Sequence, residues 1–221
     1  MAALGAVGVG ACAVLAACSP VKMGSAAIVG NQRITISTVD AQVSNLKVAA
    51  KPYGSSIQLT SAQMPTKVLN WLIQFAIMDR VAAANGISVT DAQAKSDLSS
   101  LGPQAAQAGF SNPTELLVAS GIPPQMFPQT GRWLAQTTDY QAKVNGGKQP
   151  STQAQATNVT NALNKAECTA ASSLNIQVSP QFGRFDYATT TFGIVPGPDT
   201  LSRPAGTPSP ANTQGLTPAA C

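Results

Sequence analysis

The side chains of this sequence that could do chemistry are nine carboxylates and four cysteines, because the 221 residues include no histidine. The commonest general base, the Ser-His and Cys-His nucleophile pairs and the usual metal ligand are therefore missing. No two acidic residues form an obvious two-acid motif, and singly spaced carboxylates are typical of solvated faces. They are Asp40, Asp79, Asp91, Asp97, Glu115, Asp139, Glu167, Asp186 and Asp199. We predict a protein that is not an enzyme and that needs no metal or cofactor.

Charge is sparse in this chain, and it is not gathered in one place. Charged residues make up 10% of the sequence, the net charge is +4, and no stretch clusters Lys and Arg. Binding to nucleic acid needs basic residues collected on one face or stripe. The sequence therefore excludes nucleic acid as an expected partner.

The cysteine at position 18 stands at the end of a short apolar segment. Residues 1–17 are small and apolar and end in Leu-Ala-Ala, directly before Cys18. This pattern resembles a bacterial lipoprotein signal peptide, in which the cysteine is lipidated and becomes the mature N-terminus. The resemblance implies export, acyl chains such as palmitate on Cys18, and tethering to the extracytoplasmic face of the cell membrane through a linker at residues 18–25. The alternative is an ordinary buried N-terminal helix.

The first residues depart from that pattern in one respect. A secretory signal begins with positive charge, yet no Lys or Arg precedes Lys22. We expect the natural start of the protein to lie upstream.

The lipoprotein resemblance also leaves one pair of cysteines for a disulfide. Cys12 would leave with the signal peptide and Cys18 would be acylated, so Cys168 and Cys221 remain in a compartment that permits disulfides. Their bond would hold the last residue of the chain against its body. The alternative is two free thiols.

The longest apolar helical pattern, Pro65 to Gly86, is expected to be the central helix. Leu69, Leu72, Ile73 and other apolar residues recur at three- and four-residue spacings. Polar residues interrupt the pattern, which favours a core helix over a membrane helix. The fold class that we predict is mainly α, with five or six helices around this one.

Weaker helical patterns precede and follow the central helix. The expected helices begin near Ser37 or Thr38, Asp91, Asn112, Pro123 and Ser151, the last of these ending near residue 171. We place the folded domain at residues 26–195 and predict that the Pro-, Gly- and Thr-rich residues 196–221 are disordered.

Large soft and aromatic side chains occur together in the helix that follows Pro123-Pro124. They are Met126, Phe127, Trp133 and Tyr140, types that suit an adaptable binding surface. Packing in the core is the alternative role for most of them.

Three stretches resemble the SurA-like chaperone domain of extracytoplasmic peptidyl-prolyl isomerases. They are the opening strand and turn at residues 26–35, the long helix with its Gly-Ile-Ser-Val-Thr exit at residues 68–91, and a closing segment at residues 176–186. In those isomerases a parvulin domain precedes the closing segment, whereas here the six residues 145–150 occupy that position. The resemblance implies the chaperone module without the isomerase. It also implies a small sheet of two or three strands that joins residues 26–36 to residues 175–179.

The function implied is that of a lipid-anchored chaperone-like protein. It would bind unfolded, unassembled or nascent exported polypeptides, called clients below, through an apolar surface with Met126, Phe127, Trp133 and Tyr140 as candidate contacts. The alternative is a structural lipoprotein of the cell envelope that binds one folded partner.

Overall fold

The computed structural model describes residues 23–187 and 192–196 of the chain. This part is mainly helical, as the sequence predicted. Two 3-10 turns, Lys51–Ser56 and Pro124–Met126, join or precede the helices. The α-helices are α1 (Ile36–Ala50), α2 (Met64–Ala84), α3 (Asp91–Ser99), α4 (Gly102–Gln107), α5 (Pro113–Ala119), α6 (Phe127–Val144) and α7 (Gln153–Leu174).

The predicted sheet of N- and C-terminal segments is confirmed. Its strands are β1 (Ser25–Val29), β2 (Gln32–Thr35) and β3 (Gln177–Val178), in the order β2-β1-β3 with both pairs antiparallel. Ile28 lies opposite Gln177, and the Gly30 amide donates to the Leu174 carbonyl at the end of α7 over 2.6 Å. This hydrogen bond attaches the C-terminal end of α7, the longest helix described, to the turn between β1 and β2.

A second, two-stranded sheet was not predicted. It pairs β4 (Arg184–Asp186) with β5 (Gly193–Val195), where the sequence had indicated only a turn with aromatic anchors around residues 180–186. The Asn70 side chain of α2 accepts a hydrogen bond from the Ile194 amide over 3.1 Å. Three-residue strands are too short to show a period of two, and this partner lies 124 residues away.

The central helix is confirmed as α2. Its fully buried side chains include Leu69, Ile73 and Ile77, and they meet Leu46 and other residues of α1 in one core. Two residues after the last residue of α2, Gly86 adopts a left-handed backbone conformation with φ of 64°. The Ile87 amide donates to the Ala82 carbonyl over 2.9 Å. That bond is the mark of a Schellman motif, so Gly86 is needed for its backbone conformation.

Helix starts follow the expected capping residues with small shifts. Thr90 and Asn112 accept hydrogen bonds from the backbone of α3 and α5. The cap of α1 is Thr35, two or three residues before the predicted start. The cap of α7 is Thr152, one residue after the predicted Ser151. Thr152 forms a capping box with Gln155, an arrangement that satisfies two orphan backbone donors at once.

Several predictions concern residues outside the part that the structure describes. They are the signal peptide at 1–17, lipidation of Cys18, the start of the linker, the disordered tail and Cys221. Along the described ranges, no helix combines the length and the apolar composition that a membrane span requires.

Candidate functional site

A cleft of about 440 Å³ opens between the C-terminal half of α2, Tyr140 of α6 and one face of α7. Its inner surface is made of small apolar side chains. These are Val81, Ala84, Ala162, Ala166 and Ala170. Polar groups surround them, namely Arg80, Asn85, Lys165, Thr169 and Ser173.

The spacing of alanines along α7 explains why the cleft exists. Ala162, Ala166 and Ala170 are four residues apart, so they lie above one another on one helix face. Each presents a single methyl group toward α2, where a leucine would fill the space between the helices. The next positions around the helix, Lys165 and Thr169, form the outer edge of the same wall.

Tyr140 closes the inner end of the cleft. Its side chain is 8% exposed, and its hydroxyl donates a hydrogen bond to the Ala162 carbonyl over 3.2 Å. Burial, followed by the charge of Glu167, raises the pKa of the Tyr140 phenol. Tyr140 is thus a neutral, fixed wall that links α6 to α7.

Glu167 is the carboxyl group whose charge acts on Tyr140. Burial raises its pKa from 4.5 to about 7. Desolvation disfavours the charged form of a carboxyl group. Glu167 does not line the cleft, so we interpret it as a group that influences the stability of the α6–α7 contact.

Two positively charged side chains, Arg80 and Lys165, lie at the edge of the cleft and have no acidic partner among the described residues. Arg80 of α2 and Lys165 of α7 are both exposed, and the lining contains no carboxylate. Within residues 23–187 and 192–196, neither side chain forms a salt bridge. The neighbouring Asp79 instead pairs with Arg132 of α6 at 3.1 Å.

The structure places the predicted client-binding residues mostly inside the molecule. Met126 is 2% exposed and Tyr140 is 8% exposed, although Tyr140 lines the cleft. A role of these two side chains in client binding stays a prediction. Phe127 and Trp133 are half-buried and pack against the core. Core packing, the alternative considered for these residues, accounts for the burial of Met126, Phe127 and Trp133.

The sequence did not indicate the cleft or its cations. Nothing in a single sequence shows that the α7 face with Ala166 lies across the cleft from Arg80. The signal that could have indicated it is the repetition of alanine, rather than leucine, on a long helix that must pack against another helix.

Other chemistry is limited in the part of the chain that the structure describes. No group of three His, Cys, Asp or Glu side chains lies close enough to hold a metal ion there. Cys168 is half-buried on α7, and its predicted partner Cys221 lies outside the described residues. The disulfide stays a prediction.

Comparison with known proteins identifies the module that contains α1 to α5. A family model described as a SurA-like N-terminal domain matches residues 3–132, more than half of the chain, and no parvulin domain is found. Comparison with curated proteins and with solved structures gives no significant match.

The matched domain is a chaperone-type domain and not a catalytic one. Helix α7, which forms one wall of the cleft, lies beyond the matched residues. The chain belongs to the family of SurA-like N-terminal domains.

Proposed function

We propose that this protein is a lipid-anchored, extracytoplasmic chaperone-like protein. It binds unfolded or unassembled exported polypeptides and has no isomerase activity. The observation that carries the proposal is the open, alanine-lined cleft of about 440 Å³ that α2 of the SurA-like module forms with Tyr140 of α6 and with α7. Its volume lies within the range of ligand-binding clefts in proteins.

The shape of the cleft suits a variable client. Methyl groups of Ala162, Ala166 and Ala170 present apolar surface without a fixed, deep contour, so apolar side chains of different shape can lie against them. The hydroxyl groups of Thr169 and Ser173 stand at its edge, where their oxygen atoms can accept hydrogen bonds from a client backbone. Apolar contact of low shape specificity is typical of promiscuous binding.

Client binding is tested with a reduced and alkylated protein that stays unfolded in buffer. We expect the purified chain to bind it in the micromolar range and to lose most of that affinity when Ala166→Leu fills the cleft. Ala154→Leu, at an exposed position of the same helix, is the matched control and should bind as wild type does. Equal binding by all three proteins would contradict the assignment of the cleft.

Lipid anchoring is proposed from the resemblance of residues 1–18 to a lipoprotein signal. Acyl chains gain about 0.8 kcal/mol for each buried methylene group, and two or more chains are needed for stable attachment. Cells grown with labelled palmitate should label the wild-type chain in the membrane fraction. Cys18→Ala should remove both the label and the membrane association.

Isomerase activity is proposed to be absent because the chain has no histidine and no parvulin domain is found. A proline-isomerisation assay should therefore give the uncatalysed rate. Catalysis that scales with protein concentration would refute this part of the proposal.

The disulfide between Cys168 and Cys221 is part of the same proposal, since it follows from export. Mass spectrometry of the unreduced protein should find the two peptides joined. Two alkylated free thiols would refute the pairing.

A second candidate function is a structural envelope lipoprotein that binds one folded partner. The observation that favours it is the small amount of large exposed apolar surface. Among the described residues with large hydrophobic side chains, those that are exposed are Met23, Val48 and Val144. Crosslinking in cells separates the two candidates, because many crosslinked proteins indicate a chaperone and a single folded one indicates a scaffold.

A further inference from the structure

We propose that the cleft selects client segments in which an apolar side chain lies close to an acidic one, with the client carboxylate held between Arg80 and Lys165. The inference rests on the proposed function, because it names the class of polypeptide that the same cleft would bind. It adds a preference for acidic client segments, which the alanine lining alone would not produce.

The first support is the position of the two cations. Arg80 projects from α2 and Lys165 from α7, so they contribute to the cleft from two different helices. Both are exposed, and neither has a carboxylate partner in the described part of the chain. Asp79, next to Arg80 in the sequence, is bound by Arg132 and Gln136, and Glu167, two residues after Lys165, does not line the cleft.

The second support is that the neutral donors of the cleft already donate to backbone carbonyls. The Thr169 hydroxyl donates to Lys165 O over 2.9 Å, and the Ser173 hydroxyl donates to Ala170 O over 2.7 Å. The Tyr140 hydroxyl donates to Ala162 O over 3.2 Å, and the Asn85 amide donates to Val81 O over 2.8 Å.

Arg80 and Lys165 are therefore the charged side-chain donors of the cleft, and neither has an acceptor among the residues that the structure describes. A client group that accepts hydrogen bonds and carries negative charge gains most from them, because charge-assisted hydrogen bonds are stronger than neutral ones. Arg in addition presents a planar fork that matches a carboxylate. The alanine methyl groups beside the cations bury the neighbouring apolar side chain of the client.

The test compares two labelled peptides by fluorescence anisotropy on the purified full chain. Both are about ten residues long, carry leucine and have amidated C-termini, but one has two glutamates where the other has two glutamines. We expect the acidic peptide to bind about tenfold more tightly, a difference that corresponds to ~1.4 kcal/mol. Raising the salt concentration should reduce this difference, since exposed charges are screened.

Paired variants assign the preference to these two residues. The double variant Arg80→Gln, Lys165→Gln should weaken binding of the acidic peptide about tenfold and change binding of the neutral peptide less than about twofold. The matched control is Lys47→Gln, Lys95→Gln, which removes the same charge at exposed positions of α1 and α3. We expect the control to bind both peptides as wild type does.

The outcomes separate this inference from the proposed function. If wild type binds both peptides equally, or if the control pair loses as much affinity as the cleft pair, the acidic preference is refuted while client binding stands. If wild type binds neither peptide and also fails to bind unfolded protein, both proposals are refuted.

Discussion

Helix α2 makes two very different contacts, one with α6 and one with α7. Toward α6 it presents Trp71, whose ring meets that of Trp133 edge-on with centroids 5.6 Å apart. Toward α7 it presents Val81 and Ala84 to a row of alanines, and a cleft remains between them. One side of the central helix is closed by large side chains, and the other is left open by small ones.

The closed side is also fixed by polar bonds between helices. Asp79 of α2 accepts hydrogen bonds from Arg132 at 3.1 Å and Gln136 at 2.8 Å, both on α6. The Trp71 indole donates to the Ser120 carbonyl over 2.9 Å. These directional bonds specify how α6 lies against α2.

The comparison indicates a division of roles within one small domain. Core packing and hydrogen bonds between α2 and α6 stabilise the fold, so α7 can retain a surface that is not filled. Substitutions of packed or hydrogen-bonded residues should therefore change the free energy of unfolding, whereas substitutions in the alanine row of the cleft should change binding. The following predictions test that division.

The largest expected effect is at Gly131, where α6 crosses α3. A Cβ atom there would lie 2.4 Å from the Ala94 carbonyl oxygen, so the two backbones would have to separate. Gly131→Ala should lower the free energy of unfolding by about 3 kcal/mol, although alanine is otherwise the better helix former. Urea denaturation measures this. Gln129→Ala, at an exposed position of α6, is the control and should change stability by less than ~0.5 kcal/mol.

The next effect concerns Glu167, whose pKa is raised to about 7 by burial. The Glu167 carboxyl group therefore binds a proton more tightly in the folded state than in the unfolded state. Its contribution to the free energy of unfolding is present at low pH and is lost as the pH rises from about 4.5 to about 7. Glu167→Gln should raise the free energy of unfolding at pH 8 by about 2 kcal/mol, allowing for partial solvent access, and change little at pH 4. Urea denaturation at both pH values is the measurement. The same gain at both would contradict the role of ionisation.

A smaller effect is expected at Tyr140, which joins α6 to α7. Tyr140→Phe removes the hydrogen bond to the Ala162 carbonyl and should cost about 1 kcal/mol. Tyr53→Phe is the matched control, because no described residue bonds the half-buried Tyr53 hydroxyl. Thermal denaturation followed by circular dichroism should show a lower midpoint for the first variant alone.

The smallest effect on stability should come from the cleft itself. Ala166→Leu adds apolar volume to open space between α2 and α7, so the free energy of unfolding should change by no more than about 0.5 kcal/mol. A loss of several kcal/mol would mean that α7 is packed as tightly as α6, and the division between the two sides would be wrong.

The closed side could be predicted from the sequence better than the open one. The apolar periodicity of α2, its end near Gly86 and the helix starts near Asp91 and Asn112 are local signals, and each was confirmed. The pairing of β1 with β3 was expected from the family resemblance, because no local signal joins segments so far apart. The β4–β5 sheet was missed, since its strands are three residues long and depend on Asn70 of α2.

The candidate site was harder to predict because a cleft is defined by what side chains leave unfilled. Met126 and Tyr140 were chosen for their size, yet large apolar side chains gain most from burial. Met126 lies in the core, and Tyr140 is a buried wall of the cleft. Arg80 and Lys165 come together only through the packing of α7 on α2. Neither residue belongs to a local pattern that marks a binding site.

The most direct test of the central claim follows the aggregation of a chemically unfolded envelope protein by light scattering after dilution. With the purified chain present near equimolar ratio, we predict that scattering is suppressed, and that Ala166→Leu removes the suppression while Ala154→Leu keeps it. Undiminished aggregation in the presence of folded wild-type protein would contradict the claim that the open side of α2 binds unfolded polypeptides.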